Sequence, residues 1–155
     1  MANRPHFIVA LSSFRDVYGD GSLQHVASFL GGKVKTNIDG EFFKNACAIR
    51  MSYVLNKSGA SIPSMPGKTV SGSDSSQYIY KVKDLVDFLR LKMGTPDKMI
   101  KNPKPTDLDG VSGLIVFEVA GWSDATGHAT LWNGAQCADH CYFPKAAKAY
   151  FWTLK

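Results

Sequence analysis

The sequence has no long hydrophobic run. Its apolar stretch near the N-terminus, FIVAL, is five residues long, whereas a signal peptide needs an apolar core of about 7 to 15 residues and a membrane-spanning helix about 20. We therefore expect neither an ordinary secretory leader nor a membrane span. With 155 residues, 45% of them hydrophobic, the composition fits one folded domain over residues 1–155.

Clustered charge and phosphate-binding motifs are also missing. The net charge of +5 favours anionic partners, but the lysines and arginines are scattered singly, without the basic face of a nucleic-acid binder. The sequence contains no glycine-rich phosphate loop and no G-x-S-x-G nucleophile motif. We expect no nucleic-acid partner.

Cysteine is scarce and odd in number, with three residues in the chain. Cys137 and Cys141 lie four apart in CADHC and can pair only if the chain bends between them, while Cys47 is far away in sequence. A metal site built from this pair with His140 and Asp139 is the alternative. Because structural zinc sites need a second couple of ligands, and none is present, we expect no metal and no cofactor.

Three segments have the apolar spacing of helices. DGSLQHVASFLGGK starts with a capping Ser22. NACAIRMSYVLNKSG, residues 45–59, is apolar nearly all round, which is typical of a central buried helix; Asn45 is its expected N-cap and Gly59 its stop. KDLVDFLRLKMG is a third helix with Asp84 as its expected cap. The KVKTNI segment after the first helix is expected to be extended.

The second half of the chain has strand patterns. GLIVFEV, HATLW, AQCADHCYF and AYFWTL are expected to form an antiparallel sheet. Residues 62–77 and 95–110, which are rich in loop-forming residues, are expected to be long surface loops. Helices followed by an antiparallel sheet predict an α+β fold.

The Asn-Gly pair at 133–134 predicts a hairpin with a two-residue turn. In that register Trp132 pairs with Ala135 and His128 faces Asp139. Directly opposed residues have Cβ atoms about 4.5 to 5.5 Å apart on one side of the sheet, so an imidazole is expected beside a carboxylate. A bend in CADHC would end the ladder before this pair.

Cys47 lies near the start of the central helix. Unpaired N–H groups at a helix N-terminus stabilise a thiolate and can receive an oxyanion, although a lone cysteine in an apolar helix is more often structural. A carboxylate such as Asp139 that holds one ring nitrogen of His128 leaves the other nitrogen to take a proton from a thiol. The three residues together favour nucleophilic catalysis.

Three segments carry a family resemblance: FFKNACAIRMSYVLNKSGASIP, YIYKVKDLVDFLRLKMG and GWSDATGHATLWNG. They resemble the fourth family of type VI secretion amidase effectors, from about Gly31 to Trp152. That family is similar to NlpC-type papain-like hydrolases, in which a cysteine at a helix N-terminus packs against an antiparallel sheet bearing the histidine. The resemblance implies this fold and an antibacterial cysteine amidase that cuts the bond between D-glutamate and meso-diaminopimelate in Gram-negative peptidoglycan stems.

The resemblance also implies where the protein acts and with what. It would be made in the producer cytoplasm without a signal peptide, injected by the type VI secretion apparatus, and active in the periplasm of the target cell. A cognate immunity protein would block its active-site cleft. The alternative function is a wall-binding module that binds peptidoglycan without cleaving it.

The site residues implied by the resemblance follow its motifs. Cys47 matches the nucleophile, with its backbone N–H as an oxyanion donor, His128 the general base, and Asp139 the third member. The paired cysteines of some members match Cys137 and Cys141.

Further positions are weaker candidates for binding substrate. Arg50, one turn after Cys47, would either contact a substrate carboxylate or anchor the helix through a buried ion pair, and the ion pair is slightly favoured. Trp122, Ser123 and Asp124 would line the cleft, unless they form only a packed hairpin loop.

Overall fold

A computed structural model describes residues 4–43, 45–119 and 127–155. Most helices precede most strands along these residues, in an α+β arrangement, as predicted. In chain order the elements are α1 (Phe7–Tyr18), α2 (Leu23–Leu30), α3 (Gly32–Asp39), α4 (Cys47–Lys57), β1 (Thr69–Ser71), β2 (Gln77–Ile79), α5 (Val82–Met93), β3 (Lys98–Lys101), a 3₁₀ helix (Pro105–Leu108), β4 (Gly113–Glu118), β5 (Gly127–Trp132) and β6 (Lys148–Thr153).

The main sheet has the strand order β3-β6-β4-β5, and every neighbouring pair is antiparallel. Strands β4, β5 and β6 confirm three of the predicted strands. Residues of β4 alternate between two cores: Leu114 and Val116 pack with α4 and α5, while Ile115 and Phe117 pack beneath the loops on the other face. Burial on both faces explains why the β4 sequence is apolar without a polar alternation.

Helix α4 is the centre of the molecule, as its sequence predicted. Every residue from Cys47 to Leu55 is buried. Ser52 ties the helix to β2, because its Oγ donates to the carbonyl of Ala48 (2.8 Å) and accepts from the N–H of Ile79 (2.9 Å). The middle of α4 is therefore tied to β2.

The prediction that KVKTNI is extended is wrong. It lies in α3, where Val34 and Ile38, four residues apart, are buried on one helical face. The preceding Gly31 and Gly32 have φ of 61° and 57°, so they turn the chain sharply between α2 and α3. Helix α1 was not predicted either, although its apolar residues have helical spacing.

The predicted helix caps are partly confirmed. Ser22 caps α2, and its Oγ accepts from the N–H of His25 at 3.0 Å. The prediction for Asp84 is wrong: α5 begins at Val82 after an N-cap at Lys81, and Asp84 lies within the first turn, where its negative charge complements the helix dipole.

Helix α4 also begins one residue later than predicted. Its N-cap is Ala46, not Asn45, although the Asn45 side chain still accepts a hydrogen bond from the N–H of Cys47. Gly59, with φ of 90°, follows the helix end as predicted.

The two segments predicted to be loops contain short regular elements. Residues 62–77 include β1, which pairs with β2, and residues 95–110 include β3 and the 3₁₀ helix. Strand β3 was missed because it lies beside β6 alone and its Met99 is largely exposed, so the hydrophobic pattern of a buried strand is absent.

The predicted hairpin register is wrong. Trp132 pairs with Cys137, not Ala135, and this isolated bridge is the end of the pairing with β5. The turn is longer than two residues because the N–H of Asn133 donates to the carbonyl of Gln136, and the Asn133 side chain accepts from the N–H of Gln136. The AQCADHCYF segment is consequently not a strand.

Helices long and apolar enough to cross a membrane are absent from the described ranges.

Candidate active site

The start of β5 meets the N-terminus of α4. The Cys47 thiol donates to the carbonyl of Gly127, with Sγ and O 3.6 Å apart, and Cys47 is 2% exposed. A Cβ added at Gly127 would lie 2.8 Å from Cγ1 of Val82 on α5, so only glycine allows this approach. Close packing of β5 places the next residue, His128, beside the cysteine.

His128 and Asp139 form an ion pair. Nε2 of the imidazole lies 3.2 Å from Oδ1 and 3.1 Å from Oδ2 of the carboxylate. The two side chains are 13% and 2% exposed. Because Nε2 faces the carboxylate, Nδ1 is the ring nitrogen left for Cys47, which acts on the charge of the imidazole.

The electrostatics of this pair favour charged forms. Burial opposes the charged imidazole, but the hydrogen bond with Asp139 and the interaction with Cys47 outweigh it and raise the pKa of His128 to about 9. Burial likewise opposes the charged carboxylate, but the hydrogen bond from His128 lowers the pKa of Asp139 below its ordinary value.

A disulfide positions Asp139. Cys137 and Cys141 are bridged, with Cα atoms 5.5 Å apart, as the resemblance implied. The bridge bends the chain so that Asp139 points at the imidazole, which is why the predicted contact with His128 is present although the predicted register is wrong. Both sulfurs belong to the disulfide, so the alternative metal site that used them as thiolate ligands does not fit.

Asn45 links Cys47 to β5. Its Oδ1 accepts from the N–H of Cys47, and its Nδ2 donates to the carbonyl of Gly127, each at 3.1 Å. The N–H that was predicted to receive an oxyanion is therefore engaged by Asn45 in the unliganded structure. The linking role was missed because an asparagine before a helix has the same sequence signal as an N-cap.

Cys47 and His128 lie at the floor of a cleft of about 760 Å³. One wall comes from the α1–α2 region and includes Tyr18 and Gly21, and the wall beside His128 includes Tyr142 and Lys145. Tyr142 covers the imidazole edge-on, with ring centroids 4.7 Å apart. No pattern in the sequence indicated this aromatic cover.

The predicted substrate-binding residues have different outcomes. Arg50 lines the cleft together with Cys47. Its predicted ion pair is wrong among the residues that the structure describes, where the ion pairs are Arg4 with Asp97, Lys35 with Asp39, and His128 with Asp139. Trp122, Ser123 and Asp124 lie outside the described residues.

An α+β fold in which a buried cysteine at a helix N-terminus meets a histidine and an aspartate beside an antiparallel sheet defines the papain-like hydrolases of NlpC type. The family model described as "Type VI secretion system (T6SS), amidase effector protein 4" (Tae4) matches residues 43–152. The chain belongs to this family. It is an amidase effector of type VI secretion and a hydrolase that acts on peptidoglycan, as predicted.

Solved structures agree with this assignment. The effector Tae4 from Enterobacter cloacae is 45% identical, with a TM-score of 0.92 and 99% of both chains covered. The Tae4–Tai4 effector–immunity complex from the same organism gives 44% identity, a TM-score of 0.91, and coverage of 99% of this chain and 100% of that chain. The corresponding complex from Salmonella Typhimurium is 45% identical, with a TM-score of 0.89 and coverage of 99% of this chain and 100% of that chain. A comparison with curated proteins gives no match.

Proposed function

We propose that this effector hydrolyses the amide bond between D-glutamate and meso-diaminopimelate in Gram-negative peptide stems. Cys47 would act as nucleophile, His128 as acid and base, and Asp139 as the group that orients the imidazole. The observation that carries this proposal is the imidazole of His128, which is held through Nε2 by a buried carboxylate and lines the same cleft as Cys47, the only free thiol among the described cysteines.

In the first half of the reaction the thiol proton passes to His128, and the Cys47 thiolate attacks the carbonyl carbon of the amide. The tetrahedral intermediate collapses when the C–N bond breaks. The imidazolium gives its proton to the departing amine of diaminopimelate, and the glutamyl residue stays on the sulfur as a thioester. Asp139 stabilises the imidazolium during this step.

In the second half, His128 takes a proton from water, the hydroxide attacks the thioester carbonyl, and the sulfur leaves with its proton restored from the imidazolium. The N–H of Cys47 would donate to the developing oxyanion. Because this N–H donates to Asn45, its use requires that hydrogen bond to give way as the oxyanion forms.

The setting of the reaction belongs to the same proposal. Injection by the type VI apparatus would bring the chain from the producer cytoplasm to the target periplasm, an oxidising compartment in which the Cys137–Cys141 disulfide persists. Similar structures contain Tae4 with the immunity protein Tai4. A cognate immunity protein that occludes the cleft is therefore the proposed partner in the producer.

Digestion of purified Gram-negative sacculi tests whether the protein cleaves the bond between D-glutamate and diaminopimelate. Soluble products are resolved by mass, and new amino groups are assigned to their residues. We expect fragments that end in D-glutamate and fragments that begin with a free amine on diaminopimelate. Binding to sacculi without a new amine would support the wall-binding alternative instead, and cleavage at another bond would contradict the proposed specificity.

A further inference from the structure

Arg50 is a buried cation without a carboxylate partner among the described residues. It is 9% exposed, and its guanidinium lies over the ring of Tyr18, 5.1 Å from the ring centre. Nη2 donates to the carbonyl of Gly21 at 3.0 Å, while Nε is buried and has no hydrogen-bond partner in the described part of the chain. Burying a guanidinium without an anion costs desolvation free energy. Arg50 therefore lies beside the cleft as a cation that can still bind an anion.

The position of Arg50 indicates which side of the substrate it meets. It lies one helical turn beyond Cys47 and contacts the α1–α2 wall through Tyr18 and Gly21, whereas His128 approaches Cys47 from β5. The leaving amine must lie on the His128 side, because the imidazolium protonates it. The residue that stays on the sulfur then extends toward the α1–α2 wall.

We propose that Arg50 binds the free carboxylate of the residue that donates the acyl group. This inference rests on the proposed function. When D-glutamate is joined through its side-chain carboxyl, its α-carboxylate remains free and lies close to the scissile carbonyl. A guanidinium matches a carboxylate with a pair of parallel N–H donors. Arg50 thus makes the enzyme specific for stems whose glutamate is not amidated.

The alternative is that the protein recognises the side-chain carboxylate of diaminopimelate, the residue on the amine side of the scissile bond. That residue lies by the wall that contains Lys145, which is exposed and lines the cleft. Two chemical changes to the substrate separate the two sides: conversion of the D-glutamate α-carboxylate to an amide, which gives D-isoglutamine, and amidation of the side-chain carboxylate of diaminopimelate.

The experiment measures kcat/KM on three purified tetrapeptide stems: unmodified, amidated at D-glutamate, and amidated at diaminopimelate. Enzymes are the wild type, Arg50→Gln, Arg50→Lys, and the matched control Arg90→Gln on α5, outside the described cleft. We expect the wild type to prefer the unmodified stem over the D-isoglutamine stem by about 10- to 100-fold, the usual effect of one hydrogen-bonded charge pair.

In Arg50→Gln this preference should fall to nearly 1, mainly through slower cleavage of the unmodified stem. Arg50→Lys should keep part of the preference for the unmodified stem, and Arg90→Gln should keep all of it. A preference is a ratio measured on one preparation, so a loss of folded protein cancels.

Two results would overturn the inference: a wild-type preference near 1 for the unmodified over the D-isoglutamine stem, or an unchanged preference in Arg50→Gln. An Arg50-dependent preference that responds to amidation of diaminopimelate, but not of D-glutamate, would also overturn it. Failure of the wild type to cleave any of the three stems is a different outcome, since it contradicts the proposed function itself.

Discussion

The carboxylate of Asp139 faces Nε2 of His128 with both oxygens, at 3.1 and 3.2 Å, in a site where the Asp139 side chain is 2% exposed. Papain-like chemistry requires an imidazole with one nitrogen fixed and the other directed at a thiol. The ion pair satisfies the first condition, and Cys47 lies close enough to the imidazole to help raise its pKa, in keeping with the second.

Stability should depend on pH through His128. Its pKa is about 9 in the folded protein and about 6.5 in an unfolded chain. The folded state therefore binds the proton more tightly, so its contribution is complete below about pH 6.5 and disappears as pH rises to about 9. Urea unfolding across this range should show a loss of at most about 3 kcal/mol; stability that rises across the range would contradict the assignment.

Asp139→Asn tests the cause of the raised pKa. The variant keeps the shape of the side chain but removes the charge that supports the imidazolium, so burial should dominate and the pKa of His128 should fall. The alkaline limb of the kcat/KM profile is expected to move down by at least about one pH unit. Asp87→Asn, which removes an exposed carboxylate from α5, should leave the limb in place.

Loss of the disulfide should loosen Asp139. A bridge that closes a ring of about five residues stabilises the fold by about 2 kcal/mol through loop entropy, and here the ring contains the carboxylate itself. Cys137→Ser with Cys141→Ser should lower the free energy of unfolding by up to this amount and reduce kcat/KM about tenfold or more. Full activity in the double variant would show that the bend does not position Asp139.

Ser52 should matter for stability apart from the chemistry. Ser52→Ala leaves the N–H of Ile79 buried without its acceptor, which costs about 1 to 3 kcal/mol. Ser58→Ala, at the end of the same helix, is the matched control, since its buried Oγ has no partner to lose. Chemical unfolding of both variants checks the difference; equal effects would contradict the role of Ser52 as the tie between α4 and β2.

The sequence predicted the elements whose apolar pattern is strong. The all-round apolar surface of α4 and the buried runs of β4, β5 and β6 led to the correct fold class. Helix α3 was missed because the same valine and isoleucine spacing fits an extended segment, and only packing on α2 decides between them. Strand β3 depends on its pairing with β6, a contact between distant parts of the chain.

The sequence predicted which residues form the candidate site better than it predicted how they are arranged. Cys47, His128 and Asp139 are brought together, but by a disulfide bend instead of a continuous hairpin ladder. Asn45 donates to the carbonyl of Gly127, and Arg50 donates to the carbonyl of Gly21. In both cases the partner is distant in sequence. No local sequence pattern specifies such contacts.

The central claim is that Cys47 is the nucleophile, and Cys47→Ala tests it most directly. Wild type and variant, matched in concentration and shown to be folded by their thermal unfolding, are incubated with the same sacculi, and the new amine on diaminopimelate is measured over time. The account predicts steady release by the wild type and none above background by the variant. Release at the wild-type rate by the folded variant would contradict it.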